Sequence, residues 1–434
     1  MDSRAERRRR RRVTYGQTPP SVPGELARRL GTGDAVVIGV GAMIGAGVFA
    51  APGPAARAAG TWLLLGLVVA AVVAYANATS SAQLAALHPE AGGTYVYARE
   101  RLGSYWGFLA GWSFIVGKTA SLSAMALTLG SYVSEDHARP IGVAAVAALA
   151  TVNALGVEKT ARLTRTIVAL VVAALVGIVA ALLLGGQATT ANLTTDLPQG
   201  PWGVLQSAGL LFFAFAGYAR LATLGEEVRD PAVTIPRAIP RALGIVVAVY
   251  ACVLGAALLA VGPGVLARSS APLADAVDAT SWSAITPLVR AAAAIAAAGV
   301  LLSLLAGVSR TALAMARRRE LPAYFDAVHP VHRTPHRAEL TAAAVVCAVV
   351  FVADVRNAIG FSSFAILTYY ALANASAYRL AADERRWPRP LSAVGLALCV
   401  LLALTLPLDA VIGGFILLAA GSVVWAARRA RHGR

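Results

Sequence analysis

The sequence predicts an all-α integral membrane protein of about twelve transmembrane helices. Three observations carry this: too little charge for a soluble chain, apolar stretches long enough to cross a bilayer, and basic residues confined to alternate connections. Of 434 residues, 58% are hydrophobic and 14% charged, with a mean hydropathy of +0.66. A soluble chain of this length carries about a quarter charged residues. Most of this chain is therefore suited to lipid.

A helix needs about twenty apolar residues to cross the hydrocarbon core. The first such stretch, 34–56, holds a glycine cluster, and the second, 62–87, follows closely. The third, 105–133, carries Lys118 about halfway along. The fourth and fifth are 140–155 and 166–185, and the sixth, 202–224, is aromatic around Gly217. The seventh to tenth are 242–261, 285–315, 340–353 and 359–378, and the last two are 391–406 and 408–427. The ninth and eleventh are short.

Segments rich in Lys and Arg stay on the cytoplasmic side of a membrane. With the amino terminus inside, thirty basic residues fall in the tails and inner loops, against only Arg57, Arg139, Arg268 and Arg356 in outer loops. This predicts an even number of spans, with both termini on the cytoplasmic side of the cell membrane. The other basic residues, Lys118, Arg220, Arg290 and Arg310, fall within spans, where each needs a reason. Snorkelling to the interface accounts for Arg290 and Arg310. The arginine run from Arg7 to Arg12 and the net charge of +16 are read as topology and anionic-lipid contacts, with no nucleic-acid partner. No apolar core follows that run closely enough for a cleaved signal peptide. Cys252, Cys347 and Cys399 lie in apolar runs and are read as small buried hydrophobes, without disulfide or metal.

A helix in lipid opens only where the freed backbone groups find partners, so glycine clusters inside spans mark a lined cavity. The first span contains VGAMIGAGVFAAPG, which places an interruption near Gly45. The sixth reads LLFFAFAGYARLATLGEEV, with Gly217 among aromatic residues. Breaks five helices apart fit inverted repeats, and discontinuous helices at matching positions point to a solute site at the bilayer midplane. A half-helix that starts at a break offers N–H groups to an anion, and one that ends there offers carbonyls to a cation. A zwitterion suits both.

Four segments in order resemble the amino acid–polyamine–organocation (APC) superfamily of permeases: GAMIGAGVFAAPG from Gly41, EAGGTYVYARERLGSYWGFLAGW from Glu90, FFAFAGYARLATLGEEVRDPAVTIPRAI from Phe212, and SRTALAMARRRELPAYFDAVHP from Ser309. The resemblance implies a LeuT-like fold of five plus five helices with two more at the carboxyl end. Its segments would be a basic tail over 1–33, a first repeat over 34–185, a second over 202–380, a helix pair over 391–427 and a basic tail over 428–434. It also implies amino acid substrates held at the unwound backbone. Carried over by motif, this points to Ala42, Met43, Gly45, Ala46 and Gly47 on helix one, and to Phe213, Phe215, Ala216 and Gly217 on helix six.

The chain departs from the family in three places. An acidic residue often follows the helix-six glycine, but here Gly217 is followed by Tyr218, Ala219 and Arg220. Arg220 either meets an anionic group of the ligand or runs to the inner interface and Glu226 or Glu227. Proton-coupled relatives often carry a lysine in helix five, where this chain has Val171. Ser303 stands alone in helix eight, so the paired hydroxyls of a sodium site are missing. What the chain does have is Lys118, about halfway along the third span. Three readings stay open for it: a proton-coupling group, a fixed cation that engages substrate, or a lysine held by Thr119, Ser121 and nearby carbonyls.

No cofactor or metal is expected; His329, His332 and His336 lie close in sequence but lack supporting ligands. The spans hold almost no convergent catalytic groups, which argues against an enzyme, and no phosphate loop is present for nucleotide-driven transport. The expectation is a secondary transporter of amino acids working by alternating access, coupled to protons or to a counter-substrate. A polyamine or organic amine exchanger and a membrane-embedded amino acid sensor are the alternatives. A channel lacks a filter-like loop or charged ring.

Overall fold

The computed structural model describes residues 31–88, 92–156, 161–193, 198–218 and 228–432. The tail up to residue 30, Arg220, Glu226 and Glu227 lie outside the described residues.

The described chain is helical. The predicted first span is in pieces: α1 (Thr32–Met43), α2 (Ala46–Ala50) and α3 (Pro52–Ala59). Ile44 and Gly45 leave helical geometry, with ψ 68 and −145, whereas Ala51 stays helical. Pro52 sits at the first position of α3, where its missing N–H has no helical partner to lose. Next come α4 (Leu63–Leu87), the short α5 (Thr94–Leu102), α6 (Ser104–Val133), α7 (Ala138–Ala154) and α8 (Ala161–Leu184).

The sixth predicted span begins as α9 (Gly200–Phe215) and tightens into a 3₁₀ turn at Ala216–Tyr218, next to the glycine that marked it. The chain continues in α10 (Pro231–Arg268), kinked at Gly262, and then α11 (Pro272–Asp278) and α12 (Thr286–Arg317). The last four are α13 (His336–Val352), α14 (Val355–Tyr378), α15 (Arg389–Thr405) and α16 (Leu408–His432).

Among the described residues, eight helical stretches are long and apolar enough to cross a membrane. They coincide with the predicted first, second, third, fifth, seventh, eighth, tenth and twelfth spans. The predicted fourth, sixth, ninth and eleventh coincide with the shorter α7, α9, α13 and α15.

The outside of this bundle is apolar. Leu65, Val68 and Val72 on α4, Leu170 and Val176 on α8, and Ile412, Phe415 and Ile416 on α16 are exposed, as a lipid-facing surface requires. Trp62, Trp106, Trp202 and Trp282 are exposed within or just before the first turns of their spans, where an indole sits well at the interface. This outward apolar face corrects the reading of the cysteines. Cys252 is exposed, Cys347 is half-buried, and only Cys399 is buried. An apolar run in a membrane helix faces lipid as readily as core.

One group of interior polar side chains is paired across helices. Asn374 of α14 donates to Asn77 of α4, and its carbonyl oxygen accepts from Ser80 at 2.8 Å; Ser80 also meets Ser392 of α15 at 3.0 Å. At one end of the bundle Arg99 pairs with Glu320, Arg101 with Glu384 (2.8 Å) and Arg165 with Asp34 (2.7 Å). At the other, Arg290 reaches Glu135 and Asp275, both at 3.3 Å. Each pair joins segments that the charge asymmetry placed on the same side of the membrane. Arg290 is part-exposed at that end, and carboxylates from the neighbouring connections meet it there.

The interrupted first span and the end of α9 lie against each other without side chains between them. A Cβ on Gly47 would fall 2.6 Å from the Cα of Ala214, and one on Gly217 would meet the carbonyl of Ala42 and lie 2.8 Å from the nitrogen of Met43. Only glycine permits this backbone contact. Gly47→Ala and Gly217→Ala are each expected to cost about 1–3 kcal/mol through overpacking, measured as a lower melting temperature in detergent. Gly177→Ala on α8, with nothing within 4 Å of the new methyl, should leave it unchanged or raise it.

Candidate functional site

The end of α1 releases carbonyls that a continuous helix would have used. Ile44 N–H still reaches Val40 O at 2.7 Å and Gly45 N–H turns back to Met43 O at 2.8 Å, after which the ladder stops. The Met43 carbonyl gains a second donor from another helix. The hydroxyl of Tyr250, on α10, lies 2.6 Å from it and 3.0 Å from the carbonyl of Ala214 on α9. A hydroxyl has one proton, so it donates to one of these oxygens at a time. Tyr250 is 2% exposed, and its ring packs on Phe215 with centroids 5.1 Å apart.

Beyond the break, α2 is tied from a third helix. Tyr132 of α6 donates to Phe49 O at 3.1 Å, stacks edge-on against the Phe49 ring, and accepts from the N–H of Leu273 in α11 at 3.3 Å. Gly45 faces α12, where an added Cβ would strike Val300.

At the second break the Ala216 carbonyl is met by Lys118, whose ammonium donates to it at 3.4 Å. Lys118 is 5% exposed. The expected local holders are otherwise engaged: Thr119 donates to Ile115 O at 2.8 Å, and Ser121 lies 3.2 Å from Gly117 O and also meets Ser362 of α14. The lysine therefore crosses to the interrupted helix and leaves its own helix's hydroxyls aside.

Of the residues singled out from the sequence, Met43, Gly45, Ala46, Gly47, Phe213, Phe215 and Ala216 are buried, and Ala42 and Gly217 half-buried. The structure brings Ala42 and Met43 to Gly217, Gly47 to Ala214, and Lys118 to Ala216. Phe215 turns to Tyr250. Tyr250 itself was missed by sequence reasoning. Its signal was a lone tyrosine in an apolar run, whose hydroxyl needs a partner at membrane depth.

Other sequence candidates lie elsewhere. Ser303 is exposed and donates to Gly299 O on its own helix, and Val171 is buried in the core. His329, His332 and His336 do cluster, but the Nδ1 of His329 accepts the N–H groups of Val331 and His332. No three-residue metal-ligating group occurs among the described residues. A cavity of about 610 Å³ beside the Gly262 kink is lined by Glu135, Arg268 and Asp275, among others, and includes none of the break residues.

The sequence pattern of the amino acid permease family matches residues 30–425. An uncharacterized transporter of Mycobacterium tuberculosis is 57% identical over 411 residues, covering 95% of this chain and 93% of its own. The branched-chain amino acid permease of Bacillus subtilis is 26% identical over 341 residues, 72% of each chain. Cationic amino acid transporter 7 of Arabidopsis thaliana is 26% identical over 393 residues, covering 83% of this chain and 67% of its own. With a match running almost from end to end, the chain belongs to the amino acid permease family.

Proposed function

We propose that the protein is a secondary active transporter that carries amino acids across the cell membrane by alternating access, driven by protons or by exchange against a second solute. The observation that carries this reading is the meeting of the interrupted first span with the end of α9 at one buried point, where side chains of other helices reach the carbonyls of Met43, Ala214 and Ala216. In a membrane such an opening is sustained only where protein or ligand satisfies the backbone. The substrate would bind at Ala42, Met43, Gly45, Ala46 and Gly47 on one side and at Phe213, Phe215, Ala216 and Gly217 on the other.

The wider architecture in this reading is twelve crossings in a LeuT-like five-plus-five arrangement with two further helices, both termini being cytoplasmic. Alternating access then needs the broken helices to move relative to their neighbours while keeping their carbonyls satisfied. Tyr250 suits that demand, since its single proton passes between the Met43 and Ala214 carbonyls as the helices part or close. The ion pairs at the two ends, Arg99–Glu320 and Arg290 with Glu135 and Asp275, are placed to clasp one end or the other.

Reconstituted protein is expected to take up or exchange a radiolabelled amino acid. Tyr250→Phe removes one donor from two buried carbonyls, a loss of about 1–3 kcal/mol, and should lower the turnover of uptake about tenfold or more. Uptake indifferent to Tyr250→Phe would contradict the role given to the breaks. Single cysteines placed at residue 432 and at Arg139 of a cysteine-free protein should label from opposite sides of intact cells, residue 432 only after permeabilisation. Labelling of both from the same side would contradict the topology.

A further inference from the structure

The charge of the site, as well as its place, is written in its hydrogen bonds. Lys118 brings an ammonium to a buried point where, among the described residues, it meets one neutral carbonyl, that of Ala216. None of the ion pairs formed among the described residues involves Lys118. Among the described residues, Asp34, Glu135, Asp275, Glu320 and Glu384 pair with arginines at the two ends of the bundle instead. The carbonyl side of the breaks is also supplied with donors: Tyr250 serves Met43 and Ala214, and Lys118 serves Ala216. A buried cation held by a single neutral dipole gains from an arriving anion, and a second cation beside it is repelled.

We propose that Lys118 is the fixed cation that binds the carboxylate of the ligand, so that the site takes zwitterionic amino acids with uncharged side chains and rejects basic amino acids and polyamines. The inference rests on the breaks being the ligand site. The ligand's own ammonium retains a place, because Tyr250 has one proton for two carbonyls and leaves a lone pair on the other to accept. Its carboxylate takes the fixed ammonium, which lets the charges within the site balance. A ligand that carries a second positive charge, or that has lost its carboxylate, finds a cation already in position.

The test is binding to the purified protein of alanine, leucine and phenylalanine, of their amides, and of arginine and putrescine. It is run on wild type, Lys118→Met and Lys118→Arg. For the wild type, at least one neutral amino acid should bind about tenfold or more tightly than its amide, arginine or putrescine. Lys118→Met should lose that preference, weakening the acid and narrowing or reversing the acid-to-amide ratio; Lys118→Arg should keep it. A lysine that merely fills space would shift acid and amide alike, so the ratio separates the two roles. An unchanged ratio in Lys118→Met, or wild type that binds amides or arginine as well as the acids, overturns the inference while leaving the permease reading intact. Binding of no amino acid or amide by wild type overturns the permease reading as well. Should Lys118→Met fail to fold, the acid-to-amide comparison in wild type and in Lys118→Arg still decides.

Discussion

Lipid offers a polypeptide no hydrogen bonds, and this constraint governs the rest of the structure. It makes the described chain helical, turns apolar side chains outward, and pairs interior polar groups such as Asn77 and Asn374 with each other. It also gives meaning to the interruption of the first span and to the turn that ends α9. At α1 and α9 the carbonyls released by the breaks are taken up by Tyr250 and Lys118, which reach in from α10 and α6. Satisfying the breaks therefore binds four helices to one point. Since Tyr250 shares a single proton between two acceptors and Lys118 meets one acceptor among the described residues, the arrangement is held together yet retains unused capacity to interact.

The glycines complete this by letting backbone touch backbone. With side chains absent at Gly47 and Gly217, the interrupted segments approach until Ala214 and Ala42 are their neighbours. A larger residue at either position would separate the carbonyls from the donors that hold them. The ion pairs at the two ends add a different kind of link, between connections and helix ends, where partial exposure to water keeps the cost of breaking a pair low. A soft periphery around a tightly satisfied centre is what a molecule needs if its ends are to open in turn.

Much of this was legible in the sequence because it is local. The apolar runs mark the helices, Gly45 marks the first interruption, and Gly217 lies in the turn that ends α9. The motifs that resemble the permeases led to the family that the near end-to-end match bears out. What the sequence did not disclose depends on contacts between distant segments. Lys118 stood out by its depth, but its partner is 98 residues away. Tyr250 looked like any aromatic in an apolar helix until two broken helices were found at its hydroxyl. The partners of Arg290, Glu135 and Asp275, were not foreseen because they come from other segments. The exposure of Cys252 was misjudged for a related reason, since hydrophobicity in a membrane helix does not distinguish lipid from core.

A transporter of this design must hold an amino acid where the first-span break meets the end of α9. The most direct measurement is the melting temperature of the detergent-purified protein against each of the twenty amino acids over a concentration series, since a ligand that binds only the folded state stabilises it by mass action. The account predicts a saturable rise for a chemically related group of amino acids, and loss of that rise when Gly217→Ala disturbs the contact between the breaks. A flat response to all twenty, in protein that is folded and melts cooperatively, would contradict it.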